Sequence, residues 1–283
     1  MRLVRRAKCS NILLHLIMHA GATLCFFIRP SYDAIAVAIT LYVVTGGLGW
    51  SVGIHRGLIH NAFSTYRFME NILAVLGTLS GLGGPISSSR THFLRDFCQS
   101  SPEFPTASLP SSFWRNYFDL PFFWETTFEP APPDRVSELL EKRWLFRCLE
   151  NRWLAAGLMA ALLYALGGLM YLAWGLCARV VVTVNLFAIF DFYCHSHNHG
   201  LQRFEIEGAS CEGRNVWLVA LLTFGEGWHN NHHAMPSSPR MGIGDFEIDI
   251  GYSILQIMHR CGLVWNLIKQ NEALKPNARQ IRS

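Results

Sequence analysis

Three histidines fall within five residues in Gly225-Glu226-Gly227-Trp228-His229-Asn230-Asn231-His232-His233. Residues three and four apart are neighbours on a helix, so His229, His232 and His233 would share one face. Three neutral imidazoles on one face suit a transition metal. A second group is His55-Arg56-Gly57-Leu58-Ile59-His60. Its spacing of five sets the two rings about 140° apart on an ideal helix, too far to chelate one ion. Either each ring serves a different metal, or the pair brackets a frayed helix end. A third group, Asp191-Phe192-Tyr193-Cys194-His195, closes an apolar run. Asp191 and His195 are four apart and share a face, which His199 continues while His197 points away. Ionisable groups at membrane depth are costly and are candidates for function by default.

The elements that position these groups are apolar. The chain is 51% hydrophobic and only 16% charged, against about 25% charged in soluble domains. A mean hydropathy of +0.21 fits a protein that is half membrane and half water-facing. A net charge of +4 is modest and scattered, with no basic run for nucleic acid. Eight cysteines form no CxxC pair, so neither a disulfide framework nor a zinc ribbon is expected. Scattered single thiols suit a reducing, cytosol-facing protein.

A basic start, with Arg2, Arg5, Arg6 and Lys8, precedes an apolar run from Ile12 to Ile28. A signal peptide would show a small-x-small cleavage site. Here the run ends instead in Arg29-Pro30-Ser31-Tyr32-Asp33, a turn. A second run follows from Ala34 to about Val52, and each is long enough to cross a ~30 Å core at ~1.5 Å per residue. Leu154–Trp174 and Val180–Phe192 form a second apolar hairpin, turning near Gly167-Gly168. Met69–Pro85 is apolar and glycine-rich, and reads as a re-entrant or core helix rather than a third span. Arg135–Glu150 reads as a short amphipathic helix. The aromatic cluster Phe113, Trp114, Tyr117, Phe118, Phe122, Phe123 and Trp124 reads either as a loop packed on the core or as an interfacial segment. His15 and His19, four apart in the first span, read as a packing pair, and His259 as a surface residue.

Basic residues flank the hairpins and are sparse at the tips near 29–33 and 166–170. By the positive-inside rule this predicts four spans with both termini cytosolic. The expected fold is an all-α membrane protein, two transmembrane hairpins under a cytosolic helical cap that holds a metal site. It forms one domain over residues 1–283: a first hairpin at 1–52, a cytosolic or interfacial segment at 53–151, a second hairpin at 152–195 and a cytosolic segment at 196–283.

An HxxxxH group, a later histidine group, a histidine closing the last span and a terminal GEGWHNNHH together resemble the membrane-bound fatty acyl desaturases. Thr45-Gly46-Gly47-Leu48-Gly49 and Gly83-Gly84-Pro85-Ile86 add to the likeness, which runs from about residue 11 to residue 265. The resemblance implies a two-iron site that activates O2 and removes hydrogen from an unactivated methylene pair, a step beyond protein acids and bases. It carries ligand roles to His55, His60, His92, His195, His229, His232 and His233, and sets Asp191 where the family has an Asn near the metal. The middle box departs from the family's HxxHH: here it is His92-Phe93-Leu94-Arg95-Asp96. Arg95 has no lone pair to offer. Asp96, four residues from His92, could ligate in place of a lost histidine, or could pair with Arg95 in a decayed box. Glu103, Asp191 and Glu226 are the other carboxylates expected to meet Arg95.

The implied partners are a fatty acyl substrate on CoA, lipid or a carrier protein, membrane lipid, and a separate electron donor, a ferredoxin or small cytochrome. The implied reaction inserts a double bond in an acyl chain. Hydroxylation or another C–H oxidation on the same scaffold is one competing reading. A non-enzymatic homologue that binds lipid or a partner is the other, favoured by Arg95 and Asp96 and opposed by the intact terminal box.

Overall fold

The computed structural model describes residues 2–99, 112–118, 120, 124–129, 133–196 and 199–281. Glu103, Phe122, Phe123 and His197 lie outside the described residues. The chain is mostly helical, with three two-stranded antiparallel ribbons among the described residues. Among the described residues three helices are long and apolar enough to cross a membrane: Cys9–Phe26, Tyr32–Ile59 and Arg152–His195.

The third of these, 44 residues long, is not straight. It breaks at Gly167 and at Gly168, whose φ of +60° with ψ of −149° favours a residue without a Cβ. Beyond the break the chain folds back, so that Leu163 lies against Gly175. The break also meets the turn after the first helix. Tyr171 donates to Asp33 Oδ2 (2.6 Å) and Trp174 Nε1 donates to the Ile28 carbonyl (3.0 Å). The two tips in which basic residues are sparse therefore lie together at one end. Ser31 and Asn151 cap the helices that follow them, each accepting from a backbone N–H three residues on.

A core of Leu14, Met18, Leu163, Leu176, Val180 and Val184 joins the first and third helices. Leu16, Phe26, Ile39, Leu158 and Leu166 point outward and are exposed, an apolar belt too large for a water-facing surface. A buried arginine crosses this core. Arg179 donates to Thr45 Oγ1 (3.1 Å) and to the Gly175 (3.0 Å) and Leu79 (2.7 Å) carbonyls, which satisfy part of its guanidinium far from water.

The second helix does not stop at Val52 but continues to Ile59. From Val43 onward it is wound in wide i→i+5 turns. Against it lies Arg67–Thr78, whose 12 residues span only about 18 Å, short of a membrane core. The two helices approach at Gly49 and Gly77; a Cβ on Gly49 would sit 2.3 Å from the Gly77 nitrogen. This explains the last glycine of the Thr45–Gly49 motif. Gly46 and Gly47 make room for the ring of Phe224.

One element is new and one expectation changes. The basic N-terminus forms a strand, Arg2–Ala7, paired antiparallel with Trp124–Glu129. The single helix expected over Arg135–Glu150 is two, Arg135–Glu141 and Trp144–Leu149. Arg143 breaks it by turning back to Glu70 Oε2 (2.7 Å) and covering the Phe146 ring (3.7 Å). Of the aromatic cluster, Phe113–Phe118 is a helix that seats Phe113 on Phe192 and leaves Trp114 and Phe118 exposed.

Candidate metal centre

Seven imidazoles from four segments meet at the end of the long helices. His55 and His60 come from the second helix, His92 from Pro85–Gln99, His195 from the last residue of Arg152–His195, and His229, His232 and His233 from the short helix His229–Ala234. They form two groups, His55, His60, His92 and His232 in one, and His195, His229 and His233 in the other. Within each group one ligand atom per residue lies within 4.8 Å of the rest.

In the first group the Nε2 atoms of His55, His60 and His92 stand 3.0–3.3 Å apart. In the second, His229 Nε2 is 3.0 Å from both His195 Nε2 and His233 Nε2. The stacked rings of His229 and His232, 5.5 Å apart, link the groups.

The HxxxxH pair is a correction to helical phase. His60 N donates to the His55 carbonyl (3.1 Å), an i→i+5 bond. In that wider turn residues five apart fall on the same face, as i→i+5 segments at functional sites often arrange. The pair therefore converges in one group instead of serving two. The GEGWHNNHH face is corrected in the other direction, since its three rings divide between the groups.

Outer partners fix which nitrogen carries the proton. His195 Nδ1 faces the Asp191 carbonyl (2.8 Å) and His233 Nδ1 faces the Cys211 carbonyl (3.2 Å). A carbonyl only accepts, so both Nδ1 atoms are protonated and both Nε2 atoms keep their lone pairs. His55 Nδ1 meets Glu226 and His92 Nδ1 meets Asp96 (3.3 Å), with the same consequence. Several bare lone pairs crowded within 3.3 Å repel unless a cation stands among them, and that donor set fits a transition metal. Burial holds His60, His229 and His232 well below the ordinary imidazole range, and His233 down to about 3. Burial pushes Glu226 up, but His55 and Arg56 outweigh it and keep the carboxylate ionised.

Asp96 and Asp191 stand outside the two groups. Asp96 backs the outer nitrogen of His92, four residues earlier on its helix. Asp191 takes the guanidinium of Arg95 in an ion pair, so Arg95 pairs with Asp191 and not with Asp96. His199 does not continue the face of His195, because the helix ends there and Ser196 is extended. It lies exposed beside Tyr193. His15 is buried, His19 Nδ1 lies 2.7 Å from the His15 carbonyl, and His259 is exposed.

The residues between the histidines carry structure that spacing did not reveal. Arg56 is fully buried, donating to Glu226 Oε1 (2.9 Å), Asp249 Oδ1 (3.0 Å) and the Pro239 carbonyl (2.9 Å). It fastens the end of the second helix to the C-terminal segment. Gly225 has φ of +99°, and a Cβ there would fall 2.3 Å from Asp249 Oδ1. Asn230 accepts from the Arg203 and Phe204 nitrogens and donates to the Phe204 and Glu212 carbonyls. Asn231 donates to the Met241 carbonyl and Glu247. The two asparagines thus lock the helix from the side opposite its histidines. The placement of Arg56 beside His55, and of Asn230 and Asn231 between His229 and His232, was the signal for these roles, while Asp249 stands beside no histidine.

Among the described residues, two cavities border the imidazoles. One, of about 130 Å³, is lined on its apolar side by Trp50, Leu82, Leu120, Phe187 and Phe190, and reaches Lys8 and Arg152. The other, of about 270 Å³, is polar, with Asp96, Gln99, Glu207, Lys275 and Asn277 on its wall.

A family model described as fatty acid desaturase matches residues 33–243. The chain is 33% identical over 268 residues to the sn-1 stearoyl-lipid 9-desaturase of Anabaena variabilis, an alignment covering 91% of this chain and 92% of that protein. It is 33% identical over 261 residues to the chloroplastic palmitoyl-monogalactosyldiacylglycerol delta-7 desaturase of Arabidopsis thaliana, covering 91% and 68% respectively. With an acyl-CoA 5-desaturase of Anemone leveillei it shares 29% identity over 277 residues, covering 94% and 82%.

Proposed function

This chain belongs to the fatty acid desaturase family and is a fatty acyl desaturase of the oxidoreductase class, and from that premise we propose that its seven imidazoles hold iron for an O2-dependent reaction at the cytosolic face of four membrane spans. The observation that supports the metal reading best is the orientation of the rings. Four of them turn Nδ1 to an acceptor and Nε2 toward one another. Bound iron would supply O2 activation and hydrogen removal from an unactivated methylene pair, which no side-chain acid or base can do. His55, His60, His92 and His232 would hold one ion, and His195, His229 and His233 the other.

The chain's own residues do the remaining work. Glu226, Asp96 and the carbonyls of Asp191 and Cys211 hold the rings in one tautomer. Trp50, Leu82, Leu120, Phe187 and Phe190 wall off water and would hold an extended acyl chain beside the imidazoles. Lys8 and Arg152 line the same cavity, where cations suit the anionic groups of CoA or of a lipid head. A separate ferredoxin or small cytochrome would deliver electrons. The break at Gly167–Gly168 turns the third long helix into two spans. The adjoining tips then lie on the outer side, and the basic flanks leave both termini in the cytosol.

Purified protein loaded with Fe(II) anaerobically, then given O2, a reduced ferredoxin or cytochrome and an acyl-lipid or acyl-CoA, tests the reading. Mass spectrometry of released acyl chains should show the loss of two hydrogens. A hydroxylated product would favour the related C–H oxidation, and neither iron uptake nor any oxidised product would sink the proposal.

A further inference from the structure

We propose that the two imidazole groups hold metal with unequal strength, the His55–His60–His92–His232 group tightly and the His195–His229–His233 group weakly, with the Arg95–Asp191 ion pair setting the difference. This inference rests on the metal reading above and deepens it.

Donor number is the first argument, with four imidazoles in one group and three in the other. The placement of charge is the second. In the first group Glu226 backs His55 and Asp96 backs His92. Arg56 shares Glu226 but also binds Asp249, so the surroundings stay net anionic and offset an entering dication. In the second group the outer nitrogens of His195 and His233 meet neutral carbonyls. The carboxylate there, Asp191, lies 3.8 Å from His195 Nδ1 and is already neutralised by Arg95.

The third argument is where the helix delivers Arg95. It follows His92 by three residues on Pro85–Gln99, so both side chains leave one face of that helix. Arg95 lines a cavity that both groups border, and its partner Asp191 lies beside His195, which draws the guanidinium to the three-ring side. A guanidinium stays protonated and cannot ligate. It therefore takes a place beside the three-ring group without contributing a donor, and adds a fixed cation where a dication would enter. The ion pair with Asp191 makes that cation tolerable at a site mostly out of water, and holds it there.

Anaerobic titration of the metal-stripped, full-length protein in detergent tests this, with Co(II) absorption and bound-metal analysis after gel filtration, and Fe(II) in parallel. We expect one ion per chain to survive gel filtration and a second to bind at least about tenfold more weakly. His60→Ala should lose the retained ion, whereas His229→Ala should keep it and lose the weak phase. Arg95→His should retain a second ion. Arg95→Met, which removes the charge without adding a donor, should tighten only the weak phase, and gel-filtration profiles report whether each variant is folded. Two equal phases in the wild type would overturn the inequality while leaving the metal reading intact. Retention lost in His229→Ala but kept in His60→Ala would overturn its direction. No bound metal in any form would remove both this inference and the reading beneath it.

Discussion

The imidazoles form a wall between two unlike compartments. On the side of the long helices the cavity is apolar, built from Trp50, Leu82, Leu120, Phe187 and Phe190. On the side of the C-terminal segment it is polar, with Glu207, Lys275 and Asn277. Asp96, Gln99 and His233 border both. A charge counts for little in water and for several times more in a low-dielectric interior. The same kind of substitution should therefore act strongly on the dry side and weakly on the wet side, and that contrast can be broken or sharpened by experiment.

The largest effect belongs to the wall itself. The ring of His232 lies 4.7 Å from that of His55, 4.6 Å from His60 and 5.5 Å from His229, so it touches both groups. His232→Ala should abolish turnover and lower iron content while the protein still inserts in membranes. Wild-type iron and turnover in this variant would show that the rings are not the metal centre.

Acid comes next. His229, His232 and His233 are buried and held below the ordinary imidazole range, His233 at about 3. Below pH ~6.5 the unfolded chain binds protons that the folded rings refuse. Stability of the metal-free protein is therefore full above that pH and falls as pH drops from ~6.5 toward 3, by up to roughly 1.4 kcal/mol per pH unit for each ring. Thermal melts of stripped protein between pH 8 and pH 5 should show the decline. A flat profile would mean that the rings are reachable by protons and that the dry side is not dry.

Two carboxylates then compare a buried outer partner with an exposed one. Glu226 backs His55 with its side chain only 2% exposed, while Asp96 backs His92 with 44% exposed. Removing an outer partner of a ligating histidine commonly lowers metal affinity about 10–100-fold. Glu226→Gln should fall in that range. Asp96→Asn should stay below it, because water can replace the exposed acceptor. Equal losses, measured by metal titration, would erase the distinction. A loss in Asp96→Ala as complete as in His232→Ala would make Asp96 a ligand instead.

Much of this centre was legible in the sequence, for a local reason. His229, His232 and His233 report themselves by helical spacing, and the long apolar runs report the helices that carry His55 and His195. What stayed hidden depends on contacts far apart in the chain. The i→i+5 winding that brings His60 onto the face of His55 belongs to a helix packed on Arg67–Thr78 through Gly49 and Gly77, and ideal helical phase gave the opposite answer. Arg56, Asp249 and Asn230 look like ordinary polar residues until the fold closes 193 positions of chain between Arg56 and Asp249. Pairing of Arg2–Ala7 with Trp124–Glu129 is equally remote, and charge alone marked the first of these only as a membrane flank. Arg95 was visible as a departure and Asp191 stood among the carboxylates expected to meet it, but which of Glu103, Asp191 and Glu226 does so depends on how another helix packs, and the fold selects Asp191.

The smallest expected effect sharpens the comparison most. Lys275 lines the wet cavity with His232 and His233, and burial lowers its ammonium pKa while Asp96 opposes the change. Removing this cation in Lys275→Met should favour an incoming dication, so metal should bind more tightly. The gain should be slight, about two- to threefold, because solvent and salt with a Debye length of ~8 Å screen the charge. It should also fade as ionic strength rises from 0.05 to 1 M, values set by the experimenter and spanning roughly 14 to 3 Å of screening. Arg95→Met removes the same unit of charge from the apolar side, where Arg95 is 28% exposed and its partner Asp191 8%. Its effect on the weak phase should be larger and nearly independent of salt. If Lys275→Met tightened binding as much as Arg95→Met and resisted salt equally, the two cavities would share one dielectric environment. The wall of imidazoles would then divide the molecule in shape but not in electrostatics.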